Sequence, residues 1–296
     1  MSKSIRPALI LALVALLILA TSLAAIGEPL KLGIFTDLHA HDANSPLDDF
    51  EMVGWETRLS ACIGSMNAWP ADLMIQLGDL VNGQFVLGAD FIEAERIPGI
   101  LQEVEDVYAR FDGPRYYVLG NHDVESLTKE EFRAGIGVDE LTYAFDEGGF
   151  HFVVLDAQFR LDGSDRGDDF WYMQGFIPPE LAEWLREDLA SSSVPTIVFV
   201  HQRLDAWRLE EPEIANQEEI RKILEADGDV AAVFQGHDHW GDYTEINGIH
   251  YVTFAALIGR ISEDKPDTWA YVTLDAEART IQINGAGEQA DYLLEF

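Results

Sequence analysis

The sequence predicts an α/β fold with mixed sheets. Apolar runs of strand length recur along the chain, and several are apolar at nearly every position, which is typical of strands covered on both faces. Amphipathic stretches with helical spacing lie between the earlier runs. The runs from residue 249 onward come with turns such as Asn247-Gly248 and have no helical stretch between them. We therefore expect an α/β core that ends in antiparallel strands.

The individual elements follow from this periodicity. The clearest helix is expected at residues 180–190, where leucines and a tryptophan share one face after the start signal Pro178-Pro179. Residues 55–66 and 100–111 have the same spacing of apolar side chains. Strands are expected at residues 30–36, 71–77, 115–119, 150–155, 196–200, 230–235, 249–254 and 269–274.

The charge balance restricts the ligands of the protein. The chain of 296 residues has 19 Lys and Arg against 53 Asp and Glu, for a formal net charge of −34. The negative electrostatic field of such a chain repels nucleic acid and anionic lipid, so we expect no nucleic-acid partner. Only a local cation, such as a bound metal, could draw a phosphate into this field.

The composition excludes several other classes of protein. A hydrophobic content of 48% is enough for a substantial core and excludes a disordered or fibrous chain. A single cysteine excludes a disulfide framework and multi-cysteine metal sites. Cys62 lies among Leu59, Ile63 and Met66 at helical spacing, and we expect it to be a buried apolar group.

The first residues have the pattern of a targeting segment. Lys3 and Arg6 precede an uncharged, largely apolar run at residues 7–27, and small residues follow its apolar core. Residues 1–27 are therefore expected to be a cleaved signal peptide or an uncleaved signal anchor. Either alternative places residues 28–296, a single domain, outside the cytoplasm, in a periplasmic or extracellular location. Contact with a membrane is expected only if the segment is uncleaved.

Side chains of the types that can bind metals follow five of the predicted strands. Five of the eight histidines lie at these positions, together with aspartates, an asparagine and glycines that let the backbone turn sharply. Ligands collect at the carboxyl ends of strands in α/β sheets. Carboxylate, amide and imidazole groups without a thiolate suit Mn, Fe, Zn, Co or Mg. The motifs are Asp37-Leu38-His39, Gly78-Asp79, Gly120-Asn121-His122-Asp123, His201 and Gly236-His237-Asp238-His239.

In this order the five motifs resemble the calcineurin-like metallophosphoesterase superfamily. The resemblance spans residues 37–239 and implies two mixed sheets sandwiched between helices. It also implies a metal centre with two divalent or trivalent ions, of which Mn, Fe and Zn are the leading candidates. The implied ligands are Asp37, His39 and His239 for one metal, Asn121, His201 and His237 for the other, and Asp79 as the bridge between them.

The resemblance implies hydrolysis of a small phosphorylated substrate. Two cations neutralise the phosphate and lower the pKa of a bridging water, so that hydroxide can attack near neutral pH. His122 is implied to assist the leaving group as a catalytic residue, and Asp123 to orient its ring. A non-catalytic metal-binding or interaction module on the same scaffold is the alternative.

The substrate class is narrowed by the motif details. Purple acid phosphatases have a tyrosine three residues after the bridging aspartate, and this position is Asn82 here. The motifs are more similar to class III cyclic-nucleotide phosphodiesterases and to manganese-dependent ADP-ribose/CDP-alcohol diphosphatases. A phosphodiester or nucleotide pyrophosphate is therefore the favoured substrate, with phosphomonoesterase activity as the alternative.

Two polar residues next to the motifs have less certain roles. His41 follows His39 in the same loop and is expected to be a solvated loop residue, with contact to the substrate as the alternative. Arg203, two residues after His201, is expected either to bind a substrate phosphate or to be an ordinary surface arginine.

Overall fold

Two six-stranded sheets form the centre of the fold in the computed structural model. The structure describes residues 27–89, 92–167, 174–208, 211–262 and 265–296. In spatial order, the first sheet contains β16 (Tyr292–Glu295), β15 (Thr280–Ala286), β14 (Trp269–Asp275), β1 (Leu30–Phe35), β3 (Leu73–Gln76) and β4 (Arg115–Tyr117). The second contains β11 (Trp240–Ile246), β12 (Ile249–Ala255), β10 (Val230–Gln235), β7 (Thr196–Val200), β6 (Phe150–Val154) and β5 (Tyr143–Glu147).

Both sheets are mixed. In the first, β1, β3 and β4 are parallel, whereas β14, β15 and β16 pair antiparallel. In the second, β6, β7, β10 and β12 are parallel, and β5 and β11 run antiparallel at the two edges. The parallel strands of each sheet therefore end at one edge. Two short ribbons complete the described strands: β2 (Phe50–Glu51) with β13 (Gly259–Arg260), and β8 (Trp207–Arg208) with β9 (Glu211–Pro212).

The helices cover the outer faces of the two sheets. The first three pack against the first sheet and the other two against the second, and a separate apolar cluster fills the space between the sheets. Burial on both faces explains why β6, β7, β10 and β12 are buried at every position. The helices are α1 (Trp55–Ala68), α2 (Ile97–Tyr108), α3 (Lys129–Ile136), α4 (Pro179–Ser191) and α5 (Gln217–Asp227).

This architecture confirms the predicted fold class, including two mixed sheets between helices. Each predicted strand and helix is present, with ends that differ by a few residues. Cys62 is buried as expected, and burial raises the pKa of its thiol. The sequence reasoning missed α3, although the capping box of Thr128 and Glu131 marks its start. It also missed α5 and several edge strands. β5 and β11 are among them, and their exposed polar positions break up the apolar runs on which the predictions depended.

The predicted targeting segment at residues 1–27 lies, except for its last residue, outside the described residues. Within the described part of the chain, no helix is long and apolar enough to cross a membrane.

Stability should depend on the aromatic packing between the sheets. Phe199 on β7 is fully buried, with its ring centroid 5.9 Å from that of Phe152 and 5.8 Å from that of Phe234. We expect Phe199→Ala to lower the free energy of unfolding by about 3–5 kcal/mol, because the cavity cannot close fully. Denaturant titration measures this change. Leu293→Ala, at a side chain that is 63% exposed, is the control, and equal effects of both variants would contradict the packing.

Candidate metal centre

The five motifs meet where β1, β3, β4, β7 and β10 end. Backbone hydrogen bonds join the loops that follow these strands: Asp37 N–H donates to Gly78 O at 3.0 Å, His39 N–H to Asp79 O at 2.9 Å, and Gly236 N–H to His201 O at 3.0 Å. The loops pack so closely that a Cβ at Gly120 would collide with Asp79. The glycines of the motifs are therefore required for this close approach.

Backbone strain is concentrated in the same loops. Among the described residues, eight non-glycine residues have positive φ, and four of them carry candidate metal ligands. Their φ values are 51° at Asp37, 47° at His39, 55° at Asp79 and 68° at His237. This conformation is uncommon for residues with a Cβ and persists only when the surroundings enforce it. The strain therefore points to a functional role for these loops.

The seven predicted ligand residues are brought together in two groups around Asp79. Asp79 Oδ2 lies 3.0 Å from His201 Nε2 and 3.7 Å from His39 Nε2. The donor atoms of Asp37, His39 and His239 lie within 4.8 Å of one another, and so do those of Asp79, His201 and His237. Asn121 Oδ1 lies 3.2 Å from His201 Nε2 and joins the second group. Asp79 thus stands between the two groups.

Two ligand imidazoles are fixed in one tautomer by partners that the sequence reasoning missed. His39 Nδ1 lies 2.9 Å from Asn82 Oδ1, and His201 Nδ1 lies 2.7 Å from the carbonyl oxygen of Leu77. Because both partners are acceptors, each Nδ1 donates its proton, and the neutral form of each ring presents its Nε2 lone pair to the site. Partners of this kind orient metal-binding histidines. A strand-end carbonyl has no signature in sequence, and the motif pattern marks Asn82 only as the residue at the position of the purple acid phosphatase tyrosine.

The electrostatics of the site favour bound positive charge. Burial lowers the pKa of His201, but the negative charges of Asp79 and Asp37 more than offset this and raise it to about 9. Burial raises the pKa of Asp79, but neighbouring imidazoles, chiefly His201 and His122, hold it well below its usual range. Two ionised carboxylates this deeply buried require compensating cations.

The residues present fit a pair of metal ions. Two carboxylates, one amide and four imidazoles converge without a thiolate, which is the donor set of Mn, Fe or Zn. Asp37 Oδ1 is buried and makes no hydrogen bond within the part of the chain that the structure describes. His39 Nε2 and His239 Nε2 lie 3.1 Å apart and face each other. An orphaned carboxylate oxygen and converging lone pairs are what a bound cation would satisfy.

The implied role of Asp123 requires a correction. Its carboxylate does not contact the His122 ring, because both oxygens accept backbone hydrogen bonds, from Asp79 and Gly120 at one oxygen and from Val81 at the other. Asp123 therefore fixes the loop that carries Asp79. Glu125 instead lies beside the ring, with Oε1 3.0 Å from His122 Nδ1. The one-turn spacing from His122 to Glu125 was the available sequence signal.

Glu125 is itself held in place. It is buried, and its Oε2 accepts a hydrogen bond of 3.1 Å from Gly83 N–H. Burial lowers the pKa of His122, but the charges of Glu125 and Asp79 raise it to about 10. The His122 side chain is 29% exposed, whereas that of the metal-ligand candidate His39 is 2% exposed. His122 thus faces the open side of the site.

Two further expectations were wrong. His41 is not solvated: it is 1% exposed, and its Nδ1 accepts a hydrogen bond from Ala43 N–H. Arg203 is neither a surface arginine nor available to a phosphate. Its guanidinium is buried and binds Asp205, Asp238 and Asp242 at 2.7 to 3.2 Å. Because Asp238 lies between His237 and His239, Arg203 links two of the ligand loops.

Comparison with known proteins relates this site to a family. The family model for calcineurin-like phosphoesterases matches residues 30–241. A manganese-dependent ADP-ribose/CDP-alcohol diphosphatase from Oryza sativa subsp. japonica is 23% identical over 258 residues, covering 73% of this chain and 77% of the relative.

Solved structures show the same fold. A dimetal phosphatase from Danio rerio superposes with a TM-score of 0.74 at 17% identity and covers 91% of this chain and 99% of the other. A purple acid phosphatase from Lupinus luteus superposes with a TM-score of 0.57 at 14% identity, covering 90% of this chain and 53% of the other.

Asp79 should control metal occupancy. We expect Asp79→Asn to lose most bound metal, because removal of the charge takes away a ligand shared by both groups. Elemental analysis of the purified protein measures the stoichiometry. Asp106→Asn, on the exposed face of α2, removes one charge elsewhere and should keep full occupancy. Full occupancy in Asp79→Asn would contradict the central position of this carboxylate.

Glu125 and Asp123 should have separable effects. We expect Glu125→Gln to keep its metals but to lose about 10²-fold in turnover on substrates with poor leaving groups, as general-acid assistance fails. Asp123→Ala should instead lose metal, because it frees three backbone amides around Asp79. Turnover and elemental analysis of both variants distinguish the roles. Wild-type turnover in Glu125→Gln, or intact metal content in Asp123→Ala, would refute them.

Proposed function

The chain belongs to the calcineurin-like phosphoesterase family and is a metal-dependent phosphoric ester hydrolase, and from this premise we propose that it is an exported phosphodiesterase or nucleotide pyrophosphatase with a dinuclear metal centre. The observation that carries the proposal is the position of Asp79. Its Oδ2 lies between His201 of one ligand group and His39 of the other. A carboxylate in this position has the geometry of a bridge between two cations.

Each ligand side chain has a defined part in this proposal. Asp37, His39 and His239 would hold one cation, Asn121, His201 and His237 would hold the other, and Asp79 would contribute to both groups. When bound, such cations neutralise phosphoryl oxygens and lower the pKa of coordinated water. Asn82 and the Leu77 carbonyl keep the Nε2 lone pairs of His39 and His201 directed at the site.

His122 is proposed to act on the leaving group. Burial lowers the pKa of the imidazole, but the neighbouring Glu125 carboxylate acts in the opposite direction and favours the protonated form, and the partial exposure of the ring lets it reach a substrate oxygen. It donates a proton to the departing oxygen or stabilises the charge that develops there. Glu125 holds the ring and stabilises its positive charge.

Three observations support a diester or pyrophosphate substrate. The relative from Oryza sativa is by name an ADP-ribose/CDP-alcohol diphosphatase. Asn82 occupies the position of the purple acid phosphatase tyrosine and bonds His39, so no tyrosinate is available there. A cavity of about 90 Å³ beside His39 and His122, lined in part by Phe50 and Phe85, gives room for a group attached to the phosphate.

Model esters test the proposal directly. With added Mn²⁺, we expect faster hydrolysis of bis-p-nitrophenyl phosphate than of p-nitrophenyl phosphate, and loss of both activities on addition of a chelator. A rate ratio that favours the monoester would instead identify a phosphomonoesterase. Absence of both activities from metal-loaded protein would indicate a non-catalytic module and contradict the proposal.

Export is proposed from the N-terminal segment. Because residues 1–27 combine a basic start with an apolar core and small residues, we expect cleavage near residue 27 on secretion. Mass spectrometry of the protein expressed with its own N-terminus gives the mature start. A protein that begins at Met1 and stays in the cytoplasmic fraction would contradict export, whereas Met1 in the membrane fraction would identify a signal anchor.

A further inference from the structure

An arginine and two aromatic rings form a strip that leads away from the metal centre. The Phe50 ring centroid lies 4.9 Å from that of His239 and 6.4 Å from that of His39. The guanidinium carbon of Arg260 lies 5.8 Å from the Phe50 ring centroid and 3.9 Å from that of Trp240. Phe50 and Arg260 also pair as neighbours in the β2–β13 ribbon. The strip of Phe50, Arg260 and Trp240 is therefore part of the rim of the centre.

Trp240 is exposed next to the candidate metal centre. It directly follows the candidate ligand His239, yet 62% of its surface is accessible. Ile261, next to Arg260, is 46% exposed, so two large apolar side chains lie at this one part of the surface. Exposed apolar groups beside a polar site mark binding surfaces. The indole holds the Arg260 guanidinium by a cation–π contact and limits its conformational freedom.

Arg260 is more weakly paired than two other cationic side chains of the described chain, Arg203 and Lys129. Its ion pair with Asp49 is long, at 3.7 Å between Nη1 and Oδ2. By contrast, Arg203 is bound by three aspartates, and Lys129 Nζ lies 2.6 Å from Asp156 Oδ2. Of these three side chains, Arg260 therefore has the donors that an incoming anion can recruit with the fewest broken contacts, and 13% of its side chain is exposed.

The negative charge of the chain explains why a substrate with two phosphates would need such an arginine. With a net charge of −34, the protein repels a second phosphate that lies beyond the reach of the metal ions. A substrate with one phosphate needs no further cation, but a pyrophosphate has a second charged group. A guanidinium matches the geometry of phosphate oxygens with its planar fork of donors.

Resting on the proposed function, we propose that Arg260, held against Trp240, binds the non-scissile phosphate of a pyrophosphate substrate. This contact makes Arg260 a specificity-determining residue, which favours phosphoanhydrides over esters with a single phosphate. Trp240 is a positioning residue that acts through the guanidinium.

Paired substrates test the assignment. We expect Arg260→Gln to lower kcat/KM for ADP-ribose by about 10- to 100-fold, the value of a lost charge-assisted contact, and to leave hydrolysis of bis-p-nitrophenyl phosphate within about 2-fold. Arg260→Lys should recover only part of the loss because it lacks the fork. Arg279→Gln is the matched control, since that guanidinium also lies over a ring, 4.8 Å from the Phe296 centroid.

Binding measurements give a readout that does not require turnover. In the Mn²⁺-loaded protein, Arg260→Gln should weaken the binding of methylenediphosphonate by about 10-fold or more and should change the binding of methylphosphonate little. Titration calorimetry measures both affinities. Trp240→Ala should weaken the binding of methylenediphosphonate by a smaller factor. Because Trp240 is largely exposed, that variant should fold normally, and it tests the strip even if Arg260→Gln does not fold.

The outcomes separate this inference from the proposed function. Equal losses on both substrates, no loss on either, or a wild-type protein that hydrolyses the diester but not ADP-ribose would overturn the role of Arg260 alone. A wild-type protein that hydrolyses neither would overturn the proposed function and this inference with it.

Discussion

The attraction between two buried carboxylates and the cations that compensate them is the interaction on which the rest of the site depends. Asp37 and Asp79 are 0% and 1% exposed, and leaving such charges unpaired in a protein interior is costly. In the protein alone, protons on the surrounding imidazoles supply the compensation, which is why the pKa of His201 is raised. Bound metal ions would supply the same positive charge. The site is thus built for positive charge before any substrate arrives.

The fold produces this arrangement by constraining the backbone of the loops that carry the ligands. Ligand-bearing loops take left-handed conformations at four non-glycine positions and are joined by hydrogen bonds across the sheet edge. Asp123 fixes the Asp79 loop through three backbone amides, and Arg203 joins the His201 loop to Asp238. These contacts hold the ligand-bearing loops in the positions that bring the donors together. The placement of the ligand side chains at the centre therefore depends on the polar contacts that surround them.

The sequence predicted what depends on local pattern. Strand and helix positions followed from apolar periodicity, and the candidate ligands from their places after strands. Contacts that depend on the meeting of distant segments could not be predicted in this way. Glu125, rather than Asp123, lies beside His122 because the short turn at residues 122–124 rotates Asp123 toward the Asp79 loop. His41 lies in a loop, which predicts solvation, although packing of that loop buries it. The targeting role of residues 1–27 and the catalytic roles of the site residues stay predictions.

The number and spacing of bound metal ions test the central claim most directly. Crystals of the manganese-loaded protein, measured at the manganese absorption edge, give anomalous difference density at each ion. The account predicts two peaks about 3.5–4 Å apart, one within bonding distance of His39 and His239, the other within bonding distance of His201 and His237, and both within bonding distance of Asp79. A single peak, or two peaks that do not share Asp79, would contradict it.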